Sequence, residues 1–311
     1  MAVSALELRR SPARAGSRWG RSSSLLVRRR RRMGLLLTLP ALALITLLIV
    51  IPIGQAAYYS FTEWNGVTTT WIGVSAWTQA FHNPTMWRVM ENNALLLLAV
   101  PVALAIPLGI AVLLHQHVAG WKVFRSIYFL PTAISWVVIG LVAEHFFAYS
   151  GTLNSILDFL GFHKAHTNLL GYQSTALIAL GITFIFSMIG TNTMLFLTGM
   201  ATLDPSQEEA ARIDGAGAWK VFRHITLPHL TRFIQLAFVI TVISAFSALF
   251  SLIFVMTGGG PGYSTTTMEF FVYQTGFSQA QFGTAALYGL ILFFIMAVVG
   301  IFQLRLLGAK D

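Results

Sequence analysis

Ionisable side chains are scarce in this chain, and one internal run gathers many of them: Asp204, Glu208, Glu209, Arg212, Asp214, Lys220, Arg223, His224 and His229. Their spacing describes a bent pair of helices. Asp204 can cap a helix start, Pro205 suits the first helical position, and Gln207 sits where a capping-box partner belongs. Glu208 and Arg212 are four residues apart and can pair on an exposed helix face. Gly215 tolerates backbone angles that other residues avoid, so it can break the helix. A second short helix through Trp219 and Phe222 follows, and Pro228 restarts the chain. Residues 202–228 thus form a polar, compact loop between two long apolar runs.

The other candidates for chemistry are weaker. The chain has no cysteine, so disulfides, thiolate nucleophiles and sulfur metal sites are excluded. His163 and His166 have the spacing of a helical metal pair, but no acidic ligand accompanies them; a solvated loop is the simpler reading. Glu144–His145 reads as an interfacial pair, with a proton relay as the alternative. Gly258–Gly259–Gly260 is no phosphate loop, because no Gly-Lys-Ser/Thr follows. The chain therefore lacks an ATP site of its own. Hydroxyls recur inside apolar runs: Thr183, Ser187 and Thr191 with Asn192, then Thr241, Ser244, Ser247 and Ser251. Each set shares a helix face. One reading makes Thr191, Asn192, Thr241, Ser244 and Ser247 a hydrogen-bonding path for a hydroxyl-rich solute. The other makes them helix-packing contacts or bonds to their own backbone.

These residues are held by a chain that is 56% hydrophobic and 10% charged. Soluble domains carry about 25% charged residues. Six apolar segments are long enough for the roughly 20 helical residues that cross a bilayer: Leu35 to Ile53, Ala94 to Leu114, Ile127 to Phe147, Ala176 to Leu197, Phe233 to Met256 and Thr284 to Leu304. They are continuous rather than alternating, which excludes a closed barrel. The fold class is an all-α integral membrane protein with six transmembrane helices and a cytoplasmic loop between the fourth and fifth. Net charge is +9, but 10 of the 20 Lys/Arg lie in residues 1–32, directly before the first span, so nucleic acid is not the implied partner. By the positive-inside rule both termini are cytoplasmic: that side carries 18 Lys/Arg, and the other only Arg88 and Lys164. Residues 1–32 read as a disordered basic tail held near anionic membrane lipid, and residues 33–308 as the membrane domain.

The segment Gly54 to Glu91 is rich in aromatics, either an interfacial belt or a docking surface for an outside partner. Pro101, Pro107 and Pro131 remove backbone donors from the second and third spans. Gly151–Thr152–Leu153–Asn154 leads into a short amphipathic helix around Ile156, Leu157 and Leu160. Thr257 to Gly262 cannot continue a helix.

The pattern E-A-A-x-x-D-G-A-x-x-W-x-x-F-x-x-I-x-L-P, starting at Glu209, resembles the cytoplasmic coupling loop of permease subunits of binding-protein-dependent ABC importers. Phe124–Arg125, Phe129–Leu130–Pro131, Gly151 with Leu153–Asn154, the Thr-Gly-Gly-Gly-Pro run, and Tyr273 with Phe277 extend the resemblance over nearly all of Met33 to Leu307. They are similar to the sugar-importing branch and its larger maltose-type permease chain. The resemblance implies a bacterial cell-membrane protein that is not itself an enzyme. It implies a second homologous permease subunit, two ATP-binding subunits that bind ATP and Mg, and an extracytoplasmic solute-binding protein. It implies that Glu209, Ala210, Ala211, Asp214, Gly215 and Trp219 dock the ATP-binding partner. The small alanines would let a groove wall approach, and Glu209 would anchor to a cation. The apolar spans hold no interior Lys or Arg, which favours an uncharged carbohydrate. An importer for an anionic solute such as a glycerol phosphate ester, and an ion-driven secondary carrier, are the alternatives.

Overall fold

A computed structural model describes Met33 and residues 37–116, 120–162 and 167–308. The basic tail 1–32, together with His163 and His166, lies outside them. The chain divides between Gln55 and Ala56 into two compact units. The first contains most of an apolar helix, α1 (Leu37–Tyr59), which includes a π-helical turn at Thr46–Val50. The remainder belongs to the second unit.

That unit opens with a feature the all-α expectation omits, a two-stranded antiparallel hairpin of β1 (Thr62–Trp64) and β2 (Thr69–Trp71). Thr62 pairs with Trp71, Glu63 with Thr70 and Trp64 with Thr69. Asn65–Gly66 makes the turn. The Asn65 carboxamide oxygen accepts from the Val67 and Thr68 amides at 3.0 and 2.8 Å, and Gly66 takes φ +91°, open to glycine at little cost. The hairpin lies against a later helix at Gly283, where any Cβ would meet the Thr62 carbonyl.

Helices follow: α2 (Ser75–His82), α3 (Pro84–Leu97), α4 (Ala99–His115), α5 (Trp121–Ala133), α6 (Trp136–Phe147), α7 (Thr152–Phe159) and α8 (Gln173–Met200). Beyond them come α9 (Pro205–Ile213), α10 (Ala218–His229), α11 (Thr231–Ser247), α12 (Phe250–Met256), α13 (Met268–Tyr273) and α14 (Phe282–Gly308). Among the described residues four helices are long and apolar enough to cross a membrane: Leu37–Tyr59, Pro84–His115, Gln173–Met200 and Phe282–Arg305. Two bent pairs bring the number to as many as six, Ser126–Ala133 with Trp136–Phe147 at 108° and Ala218–His229 with Thr231–Ser247 at 66°. Outward faces carry exposed Leu98, Val142, Val298 and Leu304, as lipid-facing helices do.

The prolines explain where helices break. Pro101 falls in the first turn of α4, where backbone amides need no helical acceptor. Pro131 stands just before a sharp break: Ile134 is extended, and the Ser135 hydroxyl accepts from Val137 N–H to start α6. Pro107 lies inside α4 without breaking it, for a reason found on α8. The fifth apolar run is not continuous either. It stops at Ser247 and restarts at Phe250, whose free N–H donates to the Glu269 carboxylate at 3.2 Å.

Central α8 buries Ala176, Leu180, Phe184, Met188 and Phe196. Gly190 lets α5 approach it, since a Cβ there would press on the Tyr128 carbonyl and the Thr132 side chain. At the hairpin end of this unit, side-chain amides fasten the loops. Asn154 donates to the Tyr149 and Thr167 carbonyls at 2.7 and 2.9 Å and accepts from Thr167 N–H. Asn92 donates to the carbonyls of Tyr263 and Thr266, and Asn93 accepts from Met268 N–H.

Candidate functional site

The connection from α8 to α11 is a helical hairpin. Asp204 caps α9, its carboxylate accepting from Ser206 N–H at 3.0 Å, and that bonding holds its pKa below the ordinary value. Pro205 occupies the first turn. At the other end Gly215 N–H bonds Arg212 C=O and Ala216 N–H bonds Ala211 C=O, at 3.0 and 2.9 Å. This crossed pair is a Schellman motif, and it places Gly215 at φ +81°. A Cβ on Gly215 would meet nothing within 4 Å, so the backbone angle, not space, calls for glycine.

The return limb α10 contains a π-helical turn at Phe222–Thr226, in which Leu227 N–H reaches back to Phe222 C=O. Pro228 lacks an N–H, and the wider turn just before it absorbs the broken ladder. Glu208 and Arg212 stand at a spacing that permits an ion pair, which the structure does not form. Instead the Glu208 carboxylate accepts from the Thr226 hydroxyl at 3.2 Å, and both acid and arginine line a small cavity beneath the hairpin. Thr226 is buried and cannot turn to water, which makes it the better-held partner.

Of the residues expected to dock a partner, Glu209, Ala210, Asp214, Gly215 and Trp219 are exposed and Ala211 is half-buried. Ile213 joins them. It is 87% exposed and Trp219 is 70% exposed, two apolar side chains that flank the turn of the hairpin in sequence. Nothing in the motif singled out Ile213; its position opposite the packed side of α9 was the available signal.

The polar residues within the spans separate into two groups. Asn192 and Thr241 are wholly buried. The Asn192 amide donates to Ala103 C=O at 2.8 Å and to Thr241 Oγ1 at 3.0 Å. Ala103 is the residue whose carbonyl Pro107 would serve if it had an N–H. The amide from α8 supplies the missing donor and lets α4 run straight through its proline. Both amide hydrogens are thereby engaged within the protein, a different arrangement from an amide presented to solute hydroxyls. Thr183, Ser187 and Ser247 each bond the carbonyl four residues back, at 2.8–2.9 Å. Thr191 and Ser244 are half-buried and Ser247 is exposed, so these three offer accessible polar surface.

Residues 105–308 match the family described as binding-protein-dependent transport system inner membrane component. The chain belongs to that family. The permease is 32% identical over 288 residues to the sulfoquinovosyl glycerol transport system permease protein SmoG of Agrobacterium fabrum, covering 90% of this chain and 92% of the relative. It is 31% identical over 259 residues to the multiple sugar-binding transport system permease protein MsmF of Streptococcus mutans, covering 82% and 88%. Its fold matches a chain of a bacterial ABC transporter involved in the import of the acidic polysaccharide alginate, with TM-score 0.78 at 19% identity over 91% and 97% of the two chains. The family match takes in the hairpin 201–230 of the permease and the buried Asn192–Thr241 pair.

Proposed function

We propose that this chain is the membrane-spanning permease subunit of an ATP-driven importer that moves a sugar or oligosaccharide delivered by an extracytoplasmic solute-binding protein. The observation that carries this reading is the hairpin 201–230, a rigidly terminated helix whose exposed face presents Glu209, Ala210, Ile213 and Trp219. A connector needs no such surface, whereas a lever that docks a second protein does. The similarity to SmoG, of a sulfoquinovosyl glycerol transport system, and to MsmF, of a multiple sugar-binding transport system, supports a carbohydrate solute.

Counting each bent pair as one span gives six, with residues 33–308 as the membrane domain and residues 1–32 as a cytoplasmic basic tail. Both termini and the loop 202–228 within the hairpin then face the cytoplasm. A second permease chain and two ATP-binding subunits complete the assembly, and those subunits bind ATP and Mg. Closure of the ATP-binding pair moves the hairpin, which tilts α8 and α11 between outward-facing and inward-facing states. Thr191, Ser244 and Ser247 line the solute's path, with Asn192 and Thr241 bracing the helices behind it.

Orientation tests this directly, because the chain has no cysteine and single cysteines report cleanly. A cysteine at Val67, 91% exposed on the strand hairpin, should react with an impermeant maleimide added to intact cells. A cysteine at Ser206 should react only after lysis. The reverse pattern overturns the topology, and with it the coupling role.

A further inference from the structure

Glu208 and Thr202 take no part in the expected docking surface, yet each bridges the two limbs of the hairpin. About one helical turn above the base, the buried Thr226 hydroxyl on the return limb donates to Glu208 on the outgoing limb. At the base, Thr202 and His229 meet, Oγ1 to Nε2, at 3.0 Å. The direction of this second bond follows from its surroundings. The Thr202 hydroxyl hydrogen is directed to Gly199 C=O at 2.7 Å, so His229 Nε2 carries the hydrogen and donates. That donor exists in the neutral Nε2-H tautomer and in the imidazolium alike, so the rung does not depend on the charge of the ring. Below both rungs α8 packs closely on the end of the return limb: a Cβ on Gly199 would stand 2.6 Å from the Leu230 side chain.

We propose that Glu208–Thr226 and Thr202–His229 form a two-rung clasp whose function is to stop the limbs of the hairpin from shearing, so that movement of the docked subunit reaches the spans undiminished. The proposal rests on the coupling role proposed above. Two helical limbs joined only at a tip and a base can slide past each other, and sliding dissipates a push. Rungs at two heights, plus close contact at the base, make one stiff body. The tip surface that would meet the partner is separate from both rungs. Opening the clasp therefore leaves docking intact and lowers the yield of transport per hydrolytic cycle. These four are positioning residues.

The test is the number of solute molecules moved per ATP hydrolysed, measured on the reconstituted complex in proteoliposomes. Thr226→Val removes the hydroxyl at nearly constant volume, and Thr202→Val does the same at the base. The double variant should retain wild-type stoichiometry of ATP-binding subunits and hydrolyse ATP, while the transport ratio falls roughly three- to tenfold. Thr226→Ser with Thr202→Ser, which restores both hydroxyls, should recover it. A double variant with an unchanged ratio overturns the clasp. So does one that loses bound subunits along with transport, because the rungs would then serve docking or folding. If the wild-type complex neither binds an ATPase nor transports, the coupling role itself fails, a result distinguishable from either.

Discussion

Proline in place of Gly215 should abolish ATP-driven uptake and strip the ATP-binding subunits from the purified complex. Two physical costs act together. Gly215 sits at φ +81°, and proline is locked near −65°, so the helix cannot end where it does. Proline also removes the N–H that bonds Arg212 C=O. Together these cost about 3 kcal/mol or more locally, enough to redirect the chain at the tip. Gly215→Ala keeps the N–H and has room for its Cβ, so it pays only about 1–2 kcal/mol for the left-handed angle and should retain partial function. Glu209→Lys leaves the hairpin's own bonds untouched but reverses an exposed charge on the face proposed to dock the partner. Loss of a charged contact in an interface typically costs about 2–5 kcal/mol, and each 1.4 kcal/mol is about tenfold in affinity. Co-purification of the ATPase and uptake by proteoliposomes read both variants. Wild-type uptake with the ATPase still bound in Gly215→Pro and Glu209→Lys contradicts the docking assignment.

Asn192→Leu should lower the yield of folded permease severely, and Ser244→Leu should not. Leucine at 192 strands two buried groups, the Thr241 hydroxyl and the Ala103 carbonyl. The carbonyl has no alternative donor in its own helix because residue 107 is proline. A buried polar group left unpaired costs about 1–3 kcal/mol. Membrane hydrogen bonds often contribute less, about 0.6 kcal/mol, because alternative partners exist, and here one of the two groups lacks them. Ser244 is half-buried, and its replacement by leucine intrudes on the proposed path instead. Uptake should fall while complex yield holds. Complex yield by size-exclusion chromatography, measured beside uptake, separates the two. Normal yield for Asn192→Leu would show that the cross-link carries little stability. Normal uptake for Ser244→Leu would remove it from the path.

Signals in the sequence are legible where the physics is local. Asp204, Pro205 and Gly215 mark the start and end of α9, and each does so through bonds within a few residues of itself. The stop at Thr257–Gly262 follows from glycine and proline chemistry in the same way. The strand hairpin carried a legible mark, Asn65–Gly66 between Thr- and Trp-containing segments, but it stands amid aromatics that also suit a membrane interface. Other features depend on partners far apart in the chain. Asn192 and Ala103 are 89 residues apart, and no periodicity links an amide on one helix to a proline-freed carbonyl on another. Glu208 illustrates the same limit over a shorter range. Four-residue spacing favours Arg212, yet the tertiary turn of α10 brings buried Thr226 within reach, and the carboxylate serves the group that water cannot. The third apolar run looked unbroken because Ile134 and Ser135 are compatible with a helix in composition. Pro131 gave warning of a disturbance without fixing the 108° bend that follows it.

The hairpin tip is proposed to meet an ATP-binding subunit. A single cysteine at Ile213, the most exposed apolar position there, carrying a short photoactivatable cross-linker, tests it in the assembled and transporting complex. One dominant adduct is expected, with a mass equal to permease plus ATP-binding subunit, and none to the solute-binding protein. An assembled, transport-competent complex in which Ile213 yields no adduct with the ATP-binding subunit, or yields one with the solute-binding protein, would contradict it.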